Sequence, residues 1–345
     1  MQRADIVNIC DREVLEKAAR LFGTRKEDLR VFPDYEGAAN LVYEYALDGK
    51  PLILRLSFRP ERSLDQIRAE LHFVAYLAEQ GVRVSVPLIS RNGNLVETIQ
   101  SEDINFKITS FVKGRGMRVP DNGYQYREGV PIEEYFQNWG HVLGQMHSAT
   151  QQYQPLNQQV SRPAWFTLHQ CRLSIVDSLP DDLQIVGRKI RSTLAEIQSL
   201  PKDRDCYGLI HGDFNDGNFT VDYSNGEMTV FDFDDCCYFW FMYEIACAWE
   251  GGIGRVMFGN LGERKDFMDR YMGQVMAGYN RENVLSDDWL EKLPLFIRLI
   301  QIEEFLHYAQ YLDDPDERVA AGLKYKIKCL EEEIPYMGFF DPIYS

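Results

Sequence analysis

Two neighbouring stretches concentrate side chains that could do chemistry. The first is His211-Gly212-Asp213-Phe214-Asn215-Asp216-Gly217-Asn218, and the second is Phe231-Asp232-Phe233-Asp234-Asp235. Apolar runs lead into and out of them: Leu209-Ile210, Phe219-Thr220-Val221 and Met228-Thr229-Val230-Phe231. Strand ends would thus present three or four hard oxygen ligands within about two dozen residues, a set suited to a divalent cation carrying a phosphate chain. Other phosphate and metal signatures fail. There is no Gly-x-x-x-x-Gly-Lys, and Gly114-Arg115-Gly116 lacks the third glycine and the strand–helix setting of a dinucleotide fold. Read as a calcium loop from Asp213, glycine falls one place early and Ser224 replaces the closing Glu.

Elements must position these groups, and the chain before them is strand-rich. Asp11 to Phe22 has helical spacing and ends at Gly23. After the small-residue loop Tyr35 to Asn40, Leu41, Tyr43, Tyr45 and Leu47 alternate as in a strand. Asp48-Gly49 predicts a hairpin, and Pro51 to Phe58 is the return strand, with Ile53, Arg55 and Ser57 on one face. Leu64 to Gln80 is an amphipathic helix with Glu70 beside its apolar stripe, facing either solvent or a specific partner; Arg55 is the natural one. Leu95 to Ile99 and Ile104 to Val112 predict further antiparallel strands.

Beyond Lys113-Gly114 the pattern turns helical. Helices are expected over Glu133 to Ser148, Leu168 to Asp177, Ile185 to Leu200, Tyr238 to Trp249, Arg264 to Gly278, Trp289 to Leu312 and Glu317 to Glu333. Gly140 and Gly144, four apart, would allow close packing on a neighbour. The expected division is therefore 1–112, sheet-rich, and 113–345, mostly helical.

The cation–carboxylate pair, the Asp, the Asn five residues on and the later Asp together match the parts of phosphoryl transfer in a kinase-like fold. On these motifs, with Tyr243-Glu244-Ile245-Ala246 and Trp139-Gly140-x-x-Leu143-Gly144-x-x-His147, the chain resembles the aminoglycoside phosphotransferase and choline kinase-like family. Phe-Asp-Phe-Asp-Asp is nearest to its homoserine kinase type II-like branch. The resemblance spans about residues 30 to 310. It implies an α+β, bilobal protein-kinase-like fold with a small antiparallel N-lobe that binds nucleotide and a larger catalytic lobe. It implies a cytoplasmic kinase that uses ATP and Mg2+ on a hydroxyl of a small, amine-bearing acceptor such as homoserine, choline, ethanolamine or an aminoglycoside. Alternatives are a non-catalytic nucleotide-binding protein on the same fold and a protein Ser/Thr kinase.

By position, the resemblance makes Asp213 the catalytic base and Asn218 and Asp232 the magnesium ligands. Arg55 would contact the phosphates, with Glu70 orienting it. Gly37, Ala38 and Asn40 would form the phosphate loop, and Thr109, Phe111 and Val112 the adenine hinge. His211 would hold the catalytic loop. The chain departs from the family pattern at Arg55, where Lys is usual, and at Glu244, where Asp is usual. Asp234 and Asp235 are additional acids that could stand behind the metal, meet a cationic substrate or begin a helix. Glu303, Glu304, His307 and Tyr308 could line the acceptor pocket or form a solvated helix face.

Composition agrees with a globular enzyme. The apolar fraction is 45%, and the net charge of −16 argues against nucleic acid and anionic membrane partners. No apolar run approaches a membrane-spanning length, and the beginning of the chain lacks a signal-peptide pattern. Seven cysteines without a Cys-x-x-Cys pair suggest reduced, packed thiols.

Overall fold

Alternating apolar residues build the first sheet. The computed structural model describes residues 3–32, 40–157, 160–256, 261–310, 312 and 317–333. Gly37 and Ala38 lie outside the described residues. Helices α1 (Arg3–Ile9) and α2 (Leu15–Leu21) flank a π-helical turn, Cys10–Val14, where one helix from Asp11 was expected. Strands β1 (Arg30–Val31), β2 (Asn40–Leu47) and β3 (Lys50–Ser57) follow, then helix α3 (Leu64–Glu79) and strands β4 (Glu97–Ser101) and β5 (Ile104–Val112). The sheet order is β1-β2-β3-β5-β4, antiparallel throughout.

Register separates the two faces of this sheet. Leu41 pairs with Leu56, Tyr43 with Leu54 and Tyr45 with Leu52. These six side chains are buried with Cys10, Val14, Leu15 and Ala18 of the leading helical segment. The period-2 alternation then puts Arg55 on the opposite face, paired in register with Val42 and Thr109. The β2–β3 turn uses positive φ at Asp48 and Gly49, as the hairpin signal required.

Helix α4 (Ile132–Thr150) is followed by the short α5 (Trp165–Leu168) and α6 (Gln170–Leu173), a 3-10 turn at Ser174–Ser178, and α7 (Gln184–Gln198). The single helix expected over Leu168 to Asp177 is thus three short pieces. Strands β6 (Tyr207–Ile210), β7 (Phe219–Val221), β8 (Met228–Val230) and β9 (Cys237–Trp240) come next. Helices α8 (Phe241–Val256), α9 (Leu261–Tyr279), α10 (Asp287–Leu290), α11 (Leu293–Ala309) and α12 (Glu317–Glu332) complete the described chain. The expected helix begins at Tyr238, but residues 237–240 form a strand. They pair antiparallel with β6, because a short apolar run fits either state and a waiting strand edge decides. The helix expected from Trp289 is also split, restarting at α11 with Pro294 in its first turn.

The larger core gathers Trp139, Trp165, Phe214, Phe219, Phe239, Trp240, Tyr271 and Tyr279, and extends to Phe73, Val74 and Leu77 of α3. Helices α4 and α9 pack at close range through glycine. A Cβ on Gly140 would overlap the Val275 carbonyl oxygen, and one on Gly144 would lie 2.6 Å from that of Tyr279. Among the described residues no helix is long and apolar enough to cross a membrane.

Candidate active site

The loop 211–218 leaves β6 through Gly212, which has φ +87, and a Cβ there would overlap the Asp235 carbonyl oxygen. Only glycine meets both conditions. The buried His211 points Nε2 at the Phe231 carbonyl, 2.9 Å away, so that nitrogen carries the proton. Its Nδ1 then accepts the Asp213 amide at 3.3 Å. From below, Gly212 N–H donates to Glu244 Oε1 at 3.0 Å, while Glu244 Oε2 pairs with His147 Nε2 at 2.8 Å. His147 Nδ1 meets Tyr279 OH at 2.9 Å, and Asn283 donates to the same hydroxyl. A buried relay from α9 and α4 therefore holds the loop.

Asp213 is exposed, with Asn215 Nδ2 donating to Oδ1 at 2.9 Å and Asn218 Nδ2 to Oδ2 at 2.8 Å. Crowding by protein raises its carboxyl above the usual range, against His211, and the nearby Asp235 adds to the rise. That direction suits a proton acceptor. Because Asn218 turns its NH2 to Asp213, its Oδ1 is left for a cation. Asp232 follows β8 in the left-handed region, φ 64 and ψ 57. Although Asp232 keeps an exposed edge, crowding by the surrounding protein, then Asp234, pushes its carboxyl well above the usual range, against Arg55, with Glu70 and Asp235 adding further charge. Acids crowded in this way, with hard oxygens from Asn218 and Asp232, fit magnesium, which takes few protein ligands and leaves positions to phosphates.

Arg55 is buried, and its NH1 contacts both Glu70 Oε1, at 2.8 Å, and Asp234 Oδ1. Its Nε donates to Thr109 Oγ1 at 3.2 Å, and its guanidinium lies 4.9 Å from the Phe111 ring centre. Arg55 NH2 and Glu70 Oε2 have no hydrogen-bond partner, so one donor and one acceptor stay unfilled beside the acids. Asp234 also accepts from Asn40 Nδ2 at 2.6 Å and faces Arg62 NH1 at 2.5 Å. Its carboxyl is driven down to about 2, with Arg55 and Arg62 outweighing its burial. Asp235 is exposed and contacts Arg62 NH2 at 3.2 Å. Val112 N–H is engaged by the Val86 carbonyl at 2.9 Å.

On the other side of Asp213 opens a cavity of about 560 Å³. Asp213, Asp216, Glu250, Glu303 and Glu304 line it, with Arg172, Tyr243, His307 and Tyr308. Glu303 accepts from Tyr243 OH at 2.9 Å, and Glu304 faces Lys326 at 2.5 Å. Burial raises Glu303 to about 7 and, with Glu304 adding its charge, Glu250 to about 8. Asp216 is braced by Arg255 at 3.3 Å, whose guanidinium packs near the rings of Tyr124, Tyr135 and Phe136. Arg62, Asp216 and Glu250 were not singled out from the sequence. Arg62 sits in an ordinary polar turn, and the neighbours that bring the other two to the cavity come from distant elements.

The chain belongs to the phosphotransferase enzyme family, whose model matches residues 31–282. Fold, family and site together make it a small-molecule phosphotransferase of the kinase-like fold. Among individual relatives, amicoumacin kinase of Bacillus subtilis (strain 168) is 32% identical over 293 residues, 84% of this chain and 82% of the relative. The solved structure of amicoumacin kinase hAmiN, in complex with AMP-PNP, Ca2+ and Ami, superposes with a TM-score of 0.84. It is 28% identical and covers 99% of this chain and 98% of its own. A microcompartment-associated aminopropanol kinase, 20% identical, shares the fold at a TM-score of 0.71, covering 96% and 99%.

Proposed function

We propose that this phosphotransferase moves the γ-phosphate of ATP, with magnesium, to a hydroxyl of a small acceptor bearing an amine. The observation that carries this reading is the position of Asp213. It holds Asn218, whose main-chain carbonyl takes the amide of Phe231 just before Asp232, and it lines a cavity with further carboxylates. Asp213 would take the proton of the attacking hydroxyl. Asn218 and Asp232 would hold magnesium, which would neutralise charge on the transferring phosphate. Arg55, oriented by Glu70, would meet the remaining phosphates, with Asn40 beside them. His211 is the brace of the catalytic loop. Glu303 and Glu304 would face the ammonium, since a carboxylate-lined recess favours a cation over a neutral hydroxyl compound. Residues 1–112 would serve the nucleotide and 113–345 the acceptor. Similarity to amicoumacin kinase supports a small-molecule acceptor.

The test is a phosphotransfer screen with magnesium-ATP over amicoumacin, aminopropanol, homoserine, choline, ethanolamine and aminoglycosides, with uncharged alcohols as controls. Turnover with amine-bearing members, lost in Asp213→Asn while nucleotide binding persists, is the expected result. Equal turnover of amine-free alcohols would overturn the acceptor class.

A further inference from the structure

Arg162 lies between α4 and α5, outside every motif considered above, and it is 6% exposed. Its guanidinium makes no ion pair within 4 Å among the described residues. Instead its donors go to backbone. NH2 donates to the Asp234 carbonyl at 2.6 Å, Nε to the Cys236 carbonyl at 2.6 Å, and NH1 to the Gln66 carbonyl at 3.3 Å. A buried cation placed on three carbonyls fixes main chain rather than balancing charge.

The three carbonyls belong to the two segments that phosphoryl transfer must keep in register. Asp234 lies within the turn Phe233–Asp235 that follows Asp232, and Cys236 closes it. Gln66 is in the first turn of α3, and its carbonyl is the helical acceptor for the amide of Glu70. The same two segments also meet through side chains, because Arg55 bridges Glu70 and Asp234. Arg162 closes this connection into a ring: Arg162 to Asp234, Asp234 to Arg55, Arg55 to Glu70, and back through Gln66. The arm itself is rooted on the helical side, where the Tyr238 amide donates to the Pro163 carbonyl at 3.0 Å and Ala164 bridges Tyr238.

We propose that Arg162 is a positioning residue that locks the turn bearing Asp232 to the helix bearing Glu70, so that metal and phosphate contacts form together. This rests on the phosphotransfer reading above. A rigid connection makes binding of one ligand favour the other, and removing it uncouples them.

The experiment measures AMP-PNP affinity with excess magnesium and with EDTA, in the full chain, for wild type, Arg162→Gln and Arg162→Lys. Wild type binds more tightly with magnesium. In Arg162→Gln the magnesium-dependent gain falls by about tenfold, while the EDTA affinity moves by less than roughly twofold. Arg162→Lys keeps the charge but cannot span three carbonyls, so its gain falls too, and it carries the test if the Gln variant does not fold. A structural role alone would weaken both affinities equally or neither, and either result overturns the proposal. A wild-type chain that binds no magnesium nucleotide overturns the phosphotransfer reading, and the positioning role with it. Normal wild-type binding with an unchanged gain in both variants overturns the positioning role alone.

Discussion

Glu244 joins the catalytic loop to the helical core by a single side chain: Oε1 accepts the Gly212 amide at 3.0 Å and Oε2 meets His147 Nε2 at 2.8 Å. Both contacts are at the base of the loop that carries Asp213. Glu244→Ala leaves a buried imidazole and a backbone N–H unpaired, so unfolding stability should fall by about 3 kcal/mol. Glu244→Gln can keep one contact and should lose about 1 kcal/mol. Urea denaturation distinguishes these outcomes, and equal stability of the Ala variant and wild type would refute the brace.

Asp213→Asn retains the shape of the side chain and removes its basicity. Turnover should fall by about 10²–10⁴-fold, the usual contribution of a general base. Isothermal titration with AMP-PNP and magnesium should give an affinity within a few-fold of wild type. A variant that turns over normally would remove Asp213 from the reaction.

Arg55 serves Glu70, Asp234 and Thr109 at once. Lysine offers a point charge in place of a planar fork and cannot reach all three. Arg55→Lys should therefore cost stability, while Arg55→Ala leaves the buried Glu70 carboxylate without its cation, with Asp234 still held by Arg62 and Asn40, and should cost about 3–5 kcal/mol. Calorimetric melting of the two variants should rank wild type above Lys and Lys above Ala.

The cavity acids make stability depend on pH. Glu303 at about 7 and Glu250 at about 8 both lie above the ordinary Glu value, so the folded chain holds more protons than the unfolded chain in between. Stability from these groups is complete below the ordinary Glu range and declines as pH rises to about 8. Melting temperature without ligand should drop over that window, and Glu303→Gln or Glu250→Gln should flatten the decline. A melting temperature that climbs across the window through these two groups would contradict the assignment.

Gly140 and Gly278 face each other's helices so closely that a Cβ on either would overlap a backbone carbonyl. Gly140→Ala should destabilise the α4–α9 contact by about 1–3 kcal/mol or more, as overpacking does. Because α4 carries His147, part of this loss should appear as lower turnover in the folded fraction, read by assaying at temperatures well below the melt.

Much of the fold was legible in the chain because period decides faces locally. The alternation through Leu41–Leu47 and Leu52–Leu56 foretold both the hairpin and the side on which Arg55 stands. Residues 238–240 fit a helix start equally well, since Tyr-Phe-Trp is apolar in either periodicity and only the edge of β6 makes it a strand. The sequence allows Asp234 three roles, and the folded chain sets it among Arg55, Arg62 and Asn40, which lie far away in sequence.

The chain by itself determined the groups that could act and their order: Arg55, Glu70, Asp213, Asn218 and Asp232, each tied to an element by local hydrophobic period. It also marked Gly49 at the hairpin and Gly140 and Gly144 at the helix crossing. The tertiary structure alone decided which charges meet. Arg62, Arg162 and Glu250 have no distinguishing neighbours in sequence, because ion pairing and desolvation depend on distance and burial, which folding creates between remote segments.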